Sequence, residues 1–229
     1  MDENTYYDYC IKELEDGYKY FYLNKNIPLN EKIIKEMEKY NIVKFEDEFN
    51  QTVDNLPSKI KQITFGDEFN QPVDNLPPKI KDLKFGYYFN QPVNNLPFGL
   101  KKLKLYGKFN QPVDNLPLEI KELTFGSNFN QSVNNLPSKI QKLTFGWDFN
   151  QPVNNLPHNI KYLTFGYKFN QPIDNLPSEV EELTLGEDFN QSLGCNLPKG
   201  LKRLTISKNY TKTIIHIPVS VNIIRNFLY

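Results

Sequence analysis

The chain has 229 residues with 27 acidic and 27 basic side chains. A net charge of zero withholds the electrostatic footprint on which nucleic acid or an anionic membrane would depend, so neither is an expected partner. The two cysteines, Cys10 and Cys195, are too few for a disulfide-stapled secreted scaffold and match no metal-ligand spacing. The acidic, aromatic N-terminus has no basic-then-apolar leader and no apolar run approaches a membrane span, which predicts an intracellular, cytoplasmic protein.

The first element is expected between Tyr6 and Phe21, where Tyr9, Ile11, Leu14, Tyr18 and Tyr20 make the segment too aromatic for a disordered tail; we expect a helix there. Asn30 before Glu31, followed by Ile33, Ile34 and Met37, predicts a capped amphipathic helix ending near Tyr40. Residues 1–40 thus read as an N-terminal helical cap, 41–208 as a repeat array, and 209–229 as a degenerate repeat with a C-terminal cap.

The array is the dominant feature. The unit FNQPVDNLPxKIKxLTFGxx opens at Phe49, Phe69, Phe89, Phe109, Phe129, Phe149, Phe169 and Phe189, always at the same 20-residue spacing. The eighth unit carries one extra residue at Gly194-Cys195-Asn196, and the ninth keeps only an apolar skeleton of Tyr210, Ile214, Ile217, Val221 and Ile224.

The FNQP…LP…LTFG pattern resembles the FNIP repeat family of amoebal and giant-virus proteins, a divergent relative of leucine-rich repeats. That resemblance implies an interaction module without a defined activity. Some family members join the repeats to an F-box-like segment, which implies a second possibility, a substrate-recognition subunit of a ubiquitin-ligase-type assembly recruited through residues 1–40.

Within a unit, Ile63 and Phe65 alternate with Gln62 and Thr64, the period of a short half-buried strand. Gly66, Pro72 and Pro77 then exclude helix and favour turns. The expected fold is a β-rich solenoid, with a leucine-rich-repeat-like parallel sheet on one face and loop return paths. Stacking coils at about 4.8 Å places equivalent residues in columns. Phe45, Phe65, Phe85, Phe125, Phe145 and Phe165 form one phenylalanine column, and the residues opening each unit form another. The recurring Asn50 and Asn55 positions are expected to form amide ladders that satisfy the turns. The recurring glycine is expected to serve the turn after each strand.

Catalysis is not expected. The two histidines, His158 and His216, have no carboxylate or thiol partners at ligand spacing, and no cofactor or metal site is predicted. The alternation of Asp54 and Asp74 with Asn94 and Asn134 suits turns better than a calcium ladder. The variable positions point instead to a non-catalytic scaffold for a protein partner. Tyr87, Tyr88, Tyr106, Trp147 and Tyr167 follow the strands, Tyr162 faces out from one, and Lys84, Lys102 and Lys104 form a basic patch beside them; aromatics with polar ends make common interface anchors. The apolar C-terminal segment is expected to cap the array, with self-association of a second copy as the alternative.

Overall fold

The computed structural model describes residues 8–15, 17–194, 197–214, 217 and 219–227. Tyr9–Glu13 (β1) and Lys19–Leu23 (β2) form an antiparallel hairpin, which corrects the helix expected at the N-terminus; Tyr6 and Tyr7 lie outside the described residues. The reason is the period. Phe21 and Leu23 are fully buried while Tyr20 and Tyr22 are only half-buried, and an aromatic run alternating in this way suits a strand better than a helix. Gly17, at φ 81°, supplies the left-handed residue in the connecting turn.

Glu31–Met37 (α1) is the capped helix expected from the sequence. The Asn30 side chain accepts the Ile33 N–H at 3.0 Å, and Ile33 and Met37 are buried against the core. The helix occupies the return path between β2 and Ile42–Phe45 (β3), two strands that already pair in parallel, Phe21 opposite Val43 and Leu23 opposite Phe45.

From β3 onward each coil contributes one short parallel strand: Gln62–Thr64 (β4), Asp82–Phe85 (β5), Lys102–Leu105 (β6), Glu122–Phe125 (β7), Lys142–Thr144 (β8), Tyr162–Thr164 (β9), Glu182–Thr184 (β10), Arg203–Ser207 (β11) and Asn222–Asn226 (β12). Among the described residues the sheet has 12 strands in chain order. Register advances by one whole coil, as in Ile63 opposite Leu83, so every column expected from the repeat is realised.

The two phenylalanine columns interlock. Rings one coil apart in the second column sit 6.1 Å apart, as Phe69 and Phe89 do, while rings in opposite columns stack closely, Phe65 on Phe69 at 3.8 Å and Phe85 on Phe89 at 3.7 Å. Each is essentially excluded from water, which contributes about 1.5–3 kcal/mol per side chain. Leu105 interrupts the first column between Phe85 and Phe125 and is equally buried.

The amide ladder runs through the return paths. Asn50 Oδ1 accepts the Asn70 N–H at 3.0 Å and Gln71 Nε2 at 3.0 Å. Asn26 Oδ1 plays this role for Asn50 and Gln51, so the ladder begins before the first FNQ unit. The second ladder is exposed and joins Asn75 Nδ2 to Asp54 Oδ1 at 3.1 Å, which gives the Asp/Asn position its role as acceptor.

The glycine after the strand has a different cause from the one expected. Its φ is not positive in the regular coils; a Cβ built on Gly86, Gly146 or Gly166 would overlap the carbonyl oxygen of the glycine one coil earlier. Close approach of successive backbones, rather than turn conformation, demands glycine. The exception is Gly107, at φ 52°, where the order of glycine and its neighbour is inverted and Tyr106 takes the glycine column.

At the C-terminus β12 extends the sheet in parallel from β11. Tyr210 continues the second aromatic column 6.2 Å from Phe189, and its hydroxyl accepts the Leu193 N–H and donates to the Gln191 carbonyl. His216, Cys195 and the final two residues lie outside the described residues.

Candidate functional site

Inward burial of Ile63, Leu83, Leu103 and their equivalents obliges the alternate strand residues to face outward. One outward column runs through Gln62, Asp82, Lys102, Glu122, Lys142, Tyr162, Glu182 and Arg203; the other is mainly threonine, from Thr64 to Thr205, interrupted by Lys84 and Lys104. The core columns are nearly constant and the first outward column varies at every coil.

Apart from Tyr162, the predicted residues fall into two clusters. In the first, Lys84 Nζ lies 5.3 Å from the centre of the Tyr106 ring, and Tyr87 and Tyr88 meet edge to face at 5.0 Å. Lys108, which sequence reasoning missed, sits 4.4 Å from the Tyr88 ring and 5.9 Å from that of Tyr87. Tyr106 is half-buried in the glycine column and so lies one residue nearer the strand than the other post-strand aromatics. Lys102 is held on the sheet by Glu122 at 2.9 Å, and that hydrogen bond raises its ammonium pKa. Burial raises the Asp82 carboxyl above its ordinary value, with Lys102 and Lys104 pulling the other way.

In the second cluster Trp147 and Tyr167 stack at 4.2 Å with planes 7° apart. Trp147 is 43% exposed. Beside the pair lies a depression of about 350 Å³ lined by Thr144, Thr164 and Thr184, by Gly146, Gly166 and Gly186, and by Ser127. Gly146 and Gly166 are partly exposed, whereas Gly66, Gly86 and Gly126 are buried, so bare backbone is open beside the rings. The threonines and glycines escaped the sequence reading because they belong to invariant columns; only their position relative to the aromatics marks them.

The β7 coil separates the clusters, with Ser127 after its strand at the position where the clusters carry Tyr87, Trp147 and Tyr167. Tyr162, 43% exposed, stands apart on the first outward column between Lys142 and Glu182. Among the described residues no group of three or more His, Cys, Asp or Glu side chains could hold a metal ion, and no helix is long and apolar enough to cross a membrane. His158 is exposed on a return turn.

The FNIP Repeat profile matches residues 49–88, 69–108, 89–127, 109–148 and 149–188, over half of the chain. The chain belongs to the FNIP repeat family. A solved structure, described as that of CroV588, a novel circular LRR protein structure, is similar to this FNIP chain at 31% identity with a TM-score of 0.67. The match covers 95% of the FNIP chain and 41% of the solved one, so this chain spans under half the length of that relative. Among curated proteins none matches. The FNIP coils are therefore of leucine-rich-repeat type, with parallel strands on one face and irregular return paths.

Proposed function

We propose that this FNIP repeat protein is a non-catalytic scaffold that binds another protein on the outer face of its sheet, at the post-strand edge around Trp147 and Tyr167. The observation that carries this reading is the half-exposed Trp147–Tyr167 stack beside the depression floored by threonine and open glycine backbone. A rigid aromatic pair loses little conformational freedom when covered, and such groups dominate binding energy when they fill a partner's pocket. The cluster of Tyr87, Tyr88, Tyr106, Lys84 and Lys108 extends the same edge and supplies charge for register.

The alternative, recruitment of a ubiquitin-ligase-type assembly through residues 1–40, draws little support. Phe21, Leu23, Ile33 and Met37 are buried in the solenoid core, which occupies the apolar side of this segment with capping.

The test is capture from source-cell lysate by wild type and by Trp147→Ser/Tyr167→Ser, followed by direct binding of each captured protein to both. The double variant is expected to keep its circular dichroism spectrum and to lose a specific partner by about tenfold or more, the scale of a single anchor pair. An identical catch from both folded proteins removes this edge from consideration.

A further inference from the structure

A second surface lies at the opposite ends of the strands. Lys61, Lys81, Lys101 and Lys121 each immediately precede a strand, and their backbones hydrogen-bond in series: Lys81 N–H to Lys61 O at 2.7 Å, Lys101 to Lys81 at 2.9 Å and Lys121 to Lys101 at 2.8 Å. Four exposed lysine side chains thus recur one coil apart, and Lys81 Nζ also donates to the Gly99 carbonyl at 3.0 Å, next to Phe98. Like charges stacked directly across neighbouring strands destabilise a sheet, and among the described residues none of the four has an ion-pair partner. Farther along the column the chain handles charge differently, since Lys161 and Lys202 both reach Glu181, at 3.2 and 2.6 Å.

The turns leading into these lysines carry a second departure from the repeat. Phe98 and Leu118 occupy the same turn position in successive coils and are 78% and 71% exposed, where other coils carry Ser58, Ser138 or Ser178. The turns themselves are regular, with Leu100 N–H donating to Pro97 O and Ile120 N–H to Pro117 O. No demand of the coil explains two large apolar side chains in water. Glu119, beside Leu118, is paired with Lys139, and its carboxyl pKa is lowered chiefly by that bond.

We propose that this ridge docks an acidic protein segment carrying an apolar anchor, whose side chain packs on Phe98 and Leu118 while its carboxylates pair with Lys81, Lys101 and Lys121. Charge complementarity selects the acid, and the adjacent apolar pair selects a polypeptide. Nucleic acid offers no counterpart to Leu118. A bilayer is broad, whereas Phe98 and Leu118 are only about 5 Å apart along the stack. The site is distinct from the Trp147 edge and stands without it.

Selection of a displayed library of random short peptides against the whole chain tests the proposal. Peptides enriched on wild type should be net negative and contain Phe, Leu or Trp. Enrichment should fall about tenfold or more on Lys81→Gln/Lys101→Gln/Lys121→Gln and on Phe98→Ser/Leu118→Ser, both checked for unchanged circular dichroism, and should persist on Trp147→Ser/Tyr167→Ser. The two ridge variants remove charge and apolar surface separately, so failure of one to fold leaves the other decisive. Neutral or basic winners, or acidic winners held equally by a folded ridge variant, overturn the proposal. So does a ridge-dependent association with phosphatidylserine vesicles, with single-stranded RNA, or between copies of the chain in sedimentation, if the acidic peptides are not enriched.

Discussion

Asn110 Oδ1 accepts the backbone N–H of Asn130, one coil later, at 2.9 Å. The same oxygen accepts Gln131 Nε2 at 3.2 Å, so a single atom holds two donors of the next return path. Asn110→Ala should therefore cost about 0.5–1.5 kcal/mol, because it strips the acceptor from both. Asn115→Ala removes only an exposed contact to Asn94 Oδ1 at 3.5 Å and should cost under about 0.5 kcal/mol. Urea denaturation midpoints of the two variants compare inner with outer ladder directly; equal losses would remove the distinction.

Glycine between coils makes a sharper prediction. A Cβ on Gly166 would overlap the Gly146 carbonyl oxygen, whereas one on Gly194 meets nothing within 4 Å. Gly166→Ala is expected to destabilise by about 3 kcal/mol or more through backbone displacement. Gly194→Ala, with open space and no positive φ, should be neutral or stabilise by up to about 1 kcal/mol through the unfolded chain. Thermal melts of both, run side by side, check the contrast.

Asp82 gives the pH dependence. Burial raises its carboxyl pKa above the usual value, so between that value and the raised one the folded state binds more proton than the unfolded chain. Stability is accordingly lost as pH rises through this window. Asp82→Asn should raise Tm by about 1–3 °C at pH 7, and the gain should vanish below the ordinary aspartate value of about 3.9. A lower Tm at pH 7 would mean that Lys102 and Lys104 hold the carboxylate more strongly than burial penalises it.

The N-terminal cap should fray independently of the middle coils. Met37 is fully buried where α1 covers the first return path, and Met37→Lys places an unpaired ammonium there, at about 3 kcal/mol or more. Because each coil contacts only its neighbours, amide exchange should accelerate around β1, β2 and β3 first and leave the β7 to β9 region close to wild type. A uniform acceleration along the whole chain would show a single cooperative unit.

Most of the architecture is legible in the sequence because the repeat states each structural role eight times. The strand alternation, both phenylalanine columns and the Asn50-type ladder all follow from 20-residue arithmetic. The N-terminal hairpin was less legible because Tyr18 to Leu23 occurs once, and apolar crowding masked its two-residue period. The glycine column was recognised but its cause was not, since a close approach between coils is a relation between residues 20 apart and leaves no local mark. The candidate residues were found as departures from the repeat; that Tyr87 and Trp147 belong to separate clusters depends on Ser127, an unremarkable residue until the coils are stacked. The lysine ridge hid in the consensus itself, because a lysine just before a strand reads as regular until its ion-pair partners are sought.

The inversion at Tyr106–Gly107 has a further consequence. Coils so alike offer a folding chain interchangeable neighbours, and a segment that skipped one complete unit would find almost the same phenylalanine, asparagine and glycine partners waiting. What distinguishes the correct count is the handful of places where the pattern breaks, with Tyr106 interrupting a column that is otherwise glycine from Gly66 to Gly186 and the hairpin and Tyr210 fixing the two ends. The irregular coil thus acts as a place marker within the array, and replacing it with a perfect unit would remove one of the few cues by which the chain keeps its place.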